Sequence, residues 1–261
     1  MKRNTPRPLS IGITWLAGLL LASSLLPAHA TDIFTPYKAD YQVTRNDLAI
    51  GQAYYQVQPL GDGCFAYQGY AVPEGLAALL VSSTVERSEF CTQGNKITPR
   101  SYRMWEGTPE GMANLDRSVA GSRDDDIDDR NYRILFSDNA ATATTNGLPP
   151  RDVPAGAIDN SSMHFAIRHA VQQKLAARDN SPFDVVVFKE NKTRSYQFKV
   201  GDKETVQTPA GSFKAVRVDR IDHRKQQLTF WLATEHDLLP VRVTRSKSGD
   251  SDYTLSLLRL H

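Results

Sequence analysis

Several short stretches carry residue types that could do chemistry. Ser137-Asp138-Asn139 matches the S-D-N element of penicillin-binding enzymes, but the S-x-x-K and K-T-G partners are missing, as is any G-x-S-x-G turn. Asp124, Asp126 and Asp128 occupy the first, third and fifth positions of a calcium loop, yet the sixth is Asp129 instead of glycine and the twelfth is Leu135 instead of glutamate. A hydrated loop between Arg123 and Arg130 is the simpler reading. Glu235-His236-Asp237 sets an imidazole between two carboxylates, but neighbours in sequence rarely converge on one substrate, and a strand-joining turn is expected there. His164 and His169 are five apart in a helical stretch, a spacing that does not stack two ligands on one face. No pattern implies a metal or a cofactor.

The two cysteines carry a structural expectation. Cys64 and Cys91 flank a short apolar segment, and an even count in an oxidising compartment favours a disulfide; without C-x-x-C, a redox role is not implied. If the two face each other on antiparallel strands, paired residues sum to 155, which sets Phe65 opposite Phe90 and Tyr70 opposite Val85.

The oxidising compartment is read from the first thirty residues. Lys2, Arg3 and Arg7 precede an apolar run from Ile11 to Leu26, and Ala28-His29-Ala30 is a small-x-small cleavage site, the pattern of a secretory signal peptide. The run is shorter than the roughly 20 residues that span a bilayer. A mature domain over 31–261, in the periplasm and without a transmembrane span, is therefore expected. The signal holds three of the 31 Lys and Arg and none of the 29 Asp and Glu, leaving 28 against 29 and a net charge of −1. Nothing in that balance suggests nucleic acid as a partner.

Period-2 alternation supplies the elements. Tyr37, Ala39, Tyr41 and Val43 alternate with polar residues, as do Ala53, Tyr55 and Val57. Later runs are Tyr196–Val200, Phe213–Val218, Leu228–Leu232, Leu239–Val243 and Tyr253–Leu257, at the spacing of a large antiparallel sheet. Thr208-Pro209-Ala210-Gly211 has the residues of a type I turn. Two segments break the pattern. From Asp159 to Arg178, Met163, Ile167, Ala170, Val171 and Leu175 recur at helical spacing, predicting a helix that leaves Arg168, Gln172 and Arg178 in solvent. Pro73 to Leu80 is short and apolar, with Pro73 placed to begin a helical turn.

The order of these segments resembles the bacterial domain of unknown function 3108 family. The resemblance rests on Tyr37 to Val43 followed by Gly51, on Pro73-Glu74-Gly75-Leu76 followed by Glu86 to Phe90, and above all on the tail. There, Gly201 to Glu204, Thr208 to Phe213, Phe230-Trp231-Leu232 and Leu239 to Val243 match successive strands, while Asp159-Asn160-Ser161-Ser162 is a looser match at the helix start. More distantly, such chains are similar to periplasmic lipoprotein carriers of the LolA/LolB kind. That likeness implies an all-β fold with a helical plug: a large curved antiparallel sheet, a half-barrel, with one amphipathic helix and one short apolar helical turn. The expected function is non-enzymatic binding of a lipid or acyl chain, with Leu76, Leu79, Leu80, Met163, Ile167, Val171 and Trp231 as cavity wall or lid. The alternative is an envelope module whose leucine segment or sheet edge docks on a protein partner. An envelope hydrolase is the third reading and would need polar side chains converging in a cleft.

Overall fold

A computed structural model describes residues 34–94, 96–112, 130–222, 224–247 and 252–261. The expected signal peptide and the Asp124–Asp129 run lie outside these residues. Among them, fourteen strands form one antiparallel sheet. The first eight are β1 (Tyr37–Arg45), β2 (Leu48–Gly61), β3 (Cys64–Pro73), β4 (Thr84–Gln93), β5 (Lys96–Glu106), β6 (Tyr132–Phe136), β7 (Thr142–Thr145) and β8 (Arg151–Asp152). The other six are β9 (Phe183–Lys189), β10 (Lys192–Thr208), β11 (Gly211–Arg220), β12 (Gln226–Ala233), β13 (Leu239–Lys247) and β14 (Tyr253–Leu260). In space the order runs β8 down to β1, then β14 down to β9, so two meanders meet where β1 pairs with β14.

Turn chemistry fixes the meanders. The two-residue turns Asn46-Asp47, Asp62-Gly63 and Glu190-Asn191 all have positive φ at both positions, which matches the right-handed twist of the strands they join. Thr208 pairs with Gly211 across Pro209-Ala210, and Gly211 has a φ of 126°, a backbone that side chains with a Cβ rarely adopt. The hairpin of β3 and β4 has the register expected from the cysteines: Cys64 opposite Cys91, Phe65 opposite Phe90, Tyr70 opposite Val85. Cys64 and Cys91 form a disulfide with a sequence separation of 27, a closure that stabilises by about 3–4 kcal/mol in the chain-entropy model.

A one-turn helix α1 (Pro109–Met112) lies beside β5, and α2 (Met163–Ala177) fills the concave side of the sheet. Phe165, Ile167 and Val171 of α2 are fully buried against Phe90, Val187, Phe198, Val216 and Leu232, each side chain contributing about 1.5–3 kcal/mol. The sheet curls around this plug without closing. Its edge strand β9 is met by the segment ahead of α2, where Ile158 donates to Val186 O at 3.0 Å and accepts from Phe188 at 2.8 Å. Phe188 packs against Phe136 of β6, ring centroids 6.0 Å apart, so the two sheet ends share one core.

Four details differ from the sequence expectation. Arg168 is 1% exposed instead of facing solvent, because a helix inside a curved sheet is enclosed on more than the one stripe that its apolar spacing marks. Gln172 is half-buried, and Arg178, expected in solvent, is exposed at the left-handed end of α2. Pro73 does not begin the apolar turn: it is the last residue of β3 and pairs with Gly51, and a 3-10 turn follows over Gly75–Leu79. Nor does that turn plug the concave face, since Leu76, Leu79 and Leu80 are 81%, 80% and 85% exposed.

Candidate functional site

The side of the sheet that faces the start of α2 is walled by tyrosines. Alternation along β1, β2 and β3 points Tyr37, Tyr41, Tyr55 and Tyr67 inward, and the sheet register brings them together. Tyr55 stacks on Tyr67 at 5.7 Å and meets Tyr41 edge-on at 5.5 Å. Gly69, opposite Tyr55, makes this possible: a Cβ there would sit 2.6 Å from the Tyr55 ring. Leu228, Phe230, Val243 and Leu255 of β12–β14 form the facing wall, and Met163 and His164 of α2 form the floor. The cavity, open to solvent on one side, measures about 360 Å³.

Burial raises the pKa of Tyr37, Tyr41, Tyr55 and Tyr67, and their hydroxyls stay neutral. Tyr41 donates to Pro240 O at 2.7 Å. His164 is also neutral, its pKa pulled down to about 3 by burial and by the Arg168 guanidinium. Its Nδ1 lies 2.7 Å from Ser161 O, an acceptor, so Nδ1 carries the proton. Nε2 is then a buried acceptor with no partner.

Three polar groups converge at the rim: Glu86, Ser161 and Asn160. The Ser161 hydroxyl donates to Glu86, and Asn160 Nδ2 donates to the same carboxylate at 3.4 Å. In a nucleophile–base relay the serine would give its proton to the imidazole; here His164 touches only the Ser161 backbone. Among the described residues no cluster of three His, Cys, Asp or Glu could hold a metal.

The start of α2 is anchored by Asp159, whose buried carboxylate accepts four hydrogen bonds. They come from the backbone N–H of Ser161 and Ser162, both at 2.9 Å, and from the hydroxyls of Ser88 and Ser162, both at 2.7 Å. Desolvation still raises its pKa.

Of the seven residues expected from sequence as cavity wall or lid, the cavity takes in Met163 alone. Ile167 and Val171 lie fully buried on α2 in the main core. Trp231 follows the cavity residue Phe230 and so points to the opposite face, where its indole donates to Glu204 and lies between Arg217 and Arg242. Leu76, Leu79 and Leu80 project from the loop joining β3 to β4, and that loop springs from the cavity rim: Ala71 and Thr84, the last pair of the hairpin, both line the cavity. Ser137-Asp138-Asn139 forms the β6–β7 turn, with Ala141 N–H donating to Asn139 Oδ1 at 3.1 Å. Glu235-His236-Asp237 joins β12 to β13. Sequence reading missed the tyrosine quartet; the signal was three of its members at inward positions of the first two strand runs.

The profile of a family described as a protein of unknown function (DUF3108) matches residues 40–256. No curated protein matches the chain. Among solved structures, the crystal structure of a beta-barrel-like protein of domain of unknown function DUF1849 from Brucella abortus is similar. It has 10% identity and a TM-score of 0.51, over 86% of this chain and 96% of that one. A protein from Parabacteroides distasonis provisionally described as a lipoprotein aligns at 12% identity and a TM-score of 0.34, over 87% and 95% of the two chains. The first likeness is one of fold, and the second adds nothing to it.

Proposed function

Because the chain belongs to the DUF3108 family, which is defined without an activity, we propose from the site itself that it binds an amphipathic ligand with a large apolar part in the tyrosine-walled cavity. The observation that carries this reading is the cavity of about 360 Å³, within the size range of small-molecule sites, with four inward tyrosines. Aromatic rings offer apolar faces while their hydroxyls receive polar groups, which suits a lipid or acyl chain, the ligand class expected from sequence. The protein acts without catalysis, after export to the periplasm through a cleaved signal peptide. The loop carrying Leu76, Leu79 and Leu80 is the lid: its leucines are exposed and stand on the rim that a ligand must pass.

Native mass spectrometry with organic extraction, on protein purified gently from the periplasm, tests this. Reproducible co-purified lipid, lost in a folded Leu79→Asp/Leu80→Asp variant, is the expected result. A protein that is ligand-free and refuses added fatty acids and phospholipids would turn the same exposed leucines into evidence for the second reading, a docking loop for an envelope protein.

A further inference from the structure

A second void lies at the other end of the curved sheet. Strand directions place the leucine loop and the β1–β2 turn at one end, and the β12–β13 turn and the end of β14 at the opposite one. At that opposite end a cleft of about 180 Å³ is lined by Pro36, Tyr37, Arg168, His236, Asp237 and His261, among others. Tyr37 lines both voids, which adjoin at its side chain.

Arg168 is the unusual member. Its side chain is buried, and no carboxylate lies within ion-pair distance of it among the described residues. Nε and Nη2 both donate to one backbone oxygen, Asp237 O, at 3.2 and 2.6 Å, while Nη1 has no partner at all. The guanidinium also lies over the rings of Tyr37 and Phe165, at 5.8 and 5.5 Å. Two bonds to a single carbonyl explain how Arg168 ties α2 to the β12–β13 turn. They do not explain why a full positive charge does it, since a neutral donor would serve without the cost of desolvating a cation. A buried guanidinium with a free donor beside an open cleft has the chemistry of an oxyanion receptor.

We propose that Arg168, which lines the cleft at the β12–β13 end, is the seat of an anion site, in which the guanidinium shifts to bring its enclosed, unpartnered Nη1 to an oxygen of a carboxylate or phosphate occupying that cleft. His236, His261 and Asp237 line the same cleft, with His261 Nε2 3.0 Å from the Asp40 carboxylate. The oxyanion is either free or the head of the amphipathic ligand. The second source rests on the cavity-binding reading above, the first does not.

Three probes separate the possibilities: inorganic phosphate, dodecanoate labelled with carbon-13 at its carboxyl, and dodecanol as the uncharged control. The proposal expects the wild-type protein to bind dodecanoate at least tenfold more tightly than dodecanol, with the bound carboxyl titrating below the free acid by carbon-13 NMR. Arg168→Gln is expected to abolish that preference and Arg168→Lys to restore part of it. Saturable stabilisation by phosphate alone, absent in Arg168→Gln, assigns the same seat to a free anion. Equal binding of dodecanoate and dodecanol, with no effect of phosphate on the melting of the wild-type protein, overturns the anion site and leaves the cavity reading standing. No binding of either alkyl probe overturns the cavity reading, while the phosphate arm still decides the seat. The wild-type measurements hold even if Arg168→Gln fails to fold.

Discussion

Asp159 and Arg168 lie nine residues apart on the same stretch of chain, both buried, with opposite charge. Asp159 has four donors around its two oxygens, two of them backbone N–H groups that would otherwise be orphaned at the start of α2. Arg168 has two of its nitrogens on one carbonyl and the third on nothing. A fully satisfied buried charge holds structure together, and its removal strands its partners. A half-satisfied one leaves capacity for something from outside. The contrast separates the end of α2 that builds the fold from the part that faces unfilled space.

Removing the satisfied charge should have the largest effect. Asp159→Ala leaves two hydroxyls and two backbone N–H groups without an acceptor and should lower unfolding free energy by about 3–5 kcal/mol in urea titration. A loss below about 1 kcal/mol would erase the distinction between the two charges.

His164, one turn before Arg168, sharpens the contrast through pH. Its folded pKa of about 3 lies below the unfolded value of 6.5, so the unfolded chain binds a proton that the folded one refuses. Its contribution is present above pH 6.5 and is lost as pH falls toward 3, with a slope of at most about 1.4 kcal/mol per pH unit. In His164→Phe, stability measured from pH 7 to pH 4 should fall less steeply than in the wild type.

Arg168→Met should change stability by no more than about 1 kcal/mol, because an apolar side chain of similar length loses two hydrogen bonds but removes the desolvation cost. A loss as large as that of Asp159→Ala would make Arg168 a purely structural clamp. The smallest effect belongs to the rim: Leu79→Asp/Leu80→Asp alters exposed side chains and should shift the melting free energy by less than about 0.5 kcal/mol while reducing lipid uptake.

The fold was legible from sequence where local rules suffice. Alternation located β1, β2 and the five strands from β10 to β14 in large part, and the cysteine register followed from one pairing sum, whereas β9 was not read from sequence. Arg168 was misplaced because an amphipathic stripe describes a helix lying on a surface, whereas α2 is wrapped by strands from both meanders. The site was harder still. Tyr37, Tyr41 and Tyr55 read as ordinary strand residues, and only the register of three strands, with Gly69 making room for a ring, turns them into a wall. Leucines in a loop drew attention because they are apolar, but no alternation or helical spacing told whether they point in or out.

The seam between β1 and β14 also governs how the molecule assembles in time. Asp40 pairs with Arg259, so the middle of the sheet is its longest-range contact in sequence, while every other neighbouring pair of strands is consecutive along the chain. Each meander can zip locally as it is synthesised, but β1 keeps an unpaired edge until the final strand has emerged. The half-made sheet is therefore the species most exposed to misassociation, and the last eight-residue strand, β14, ends that exposure.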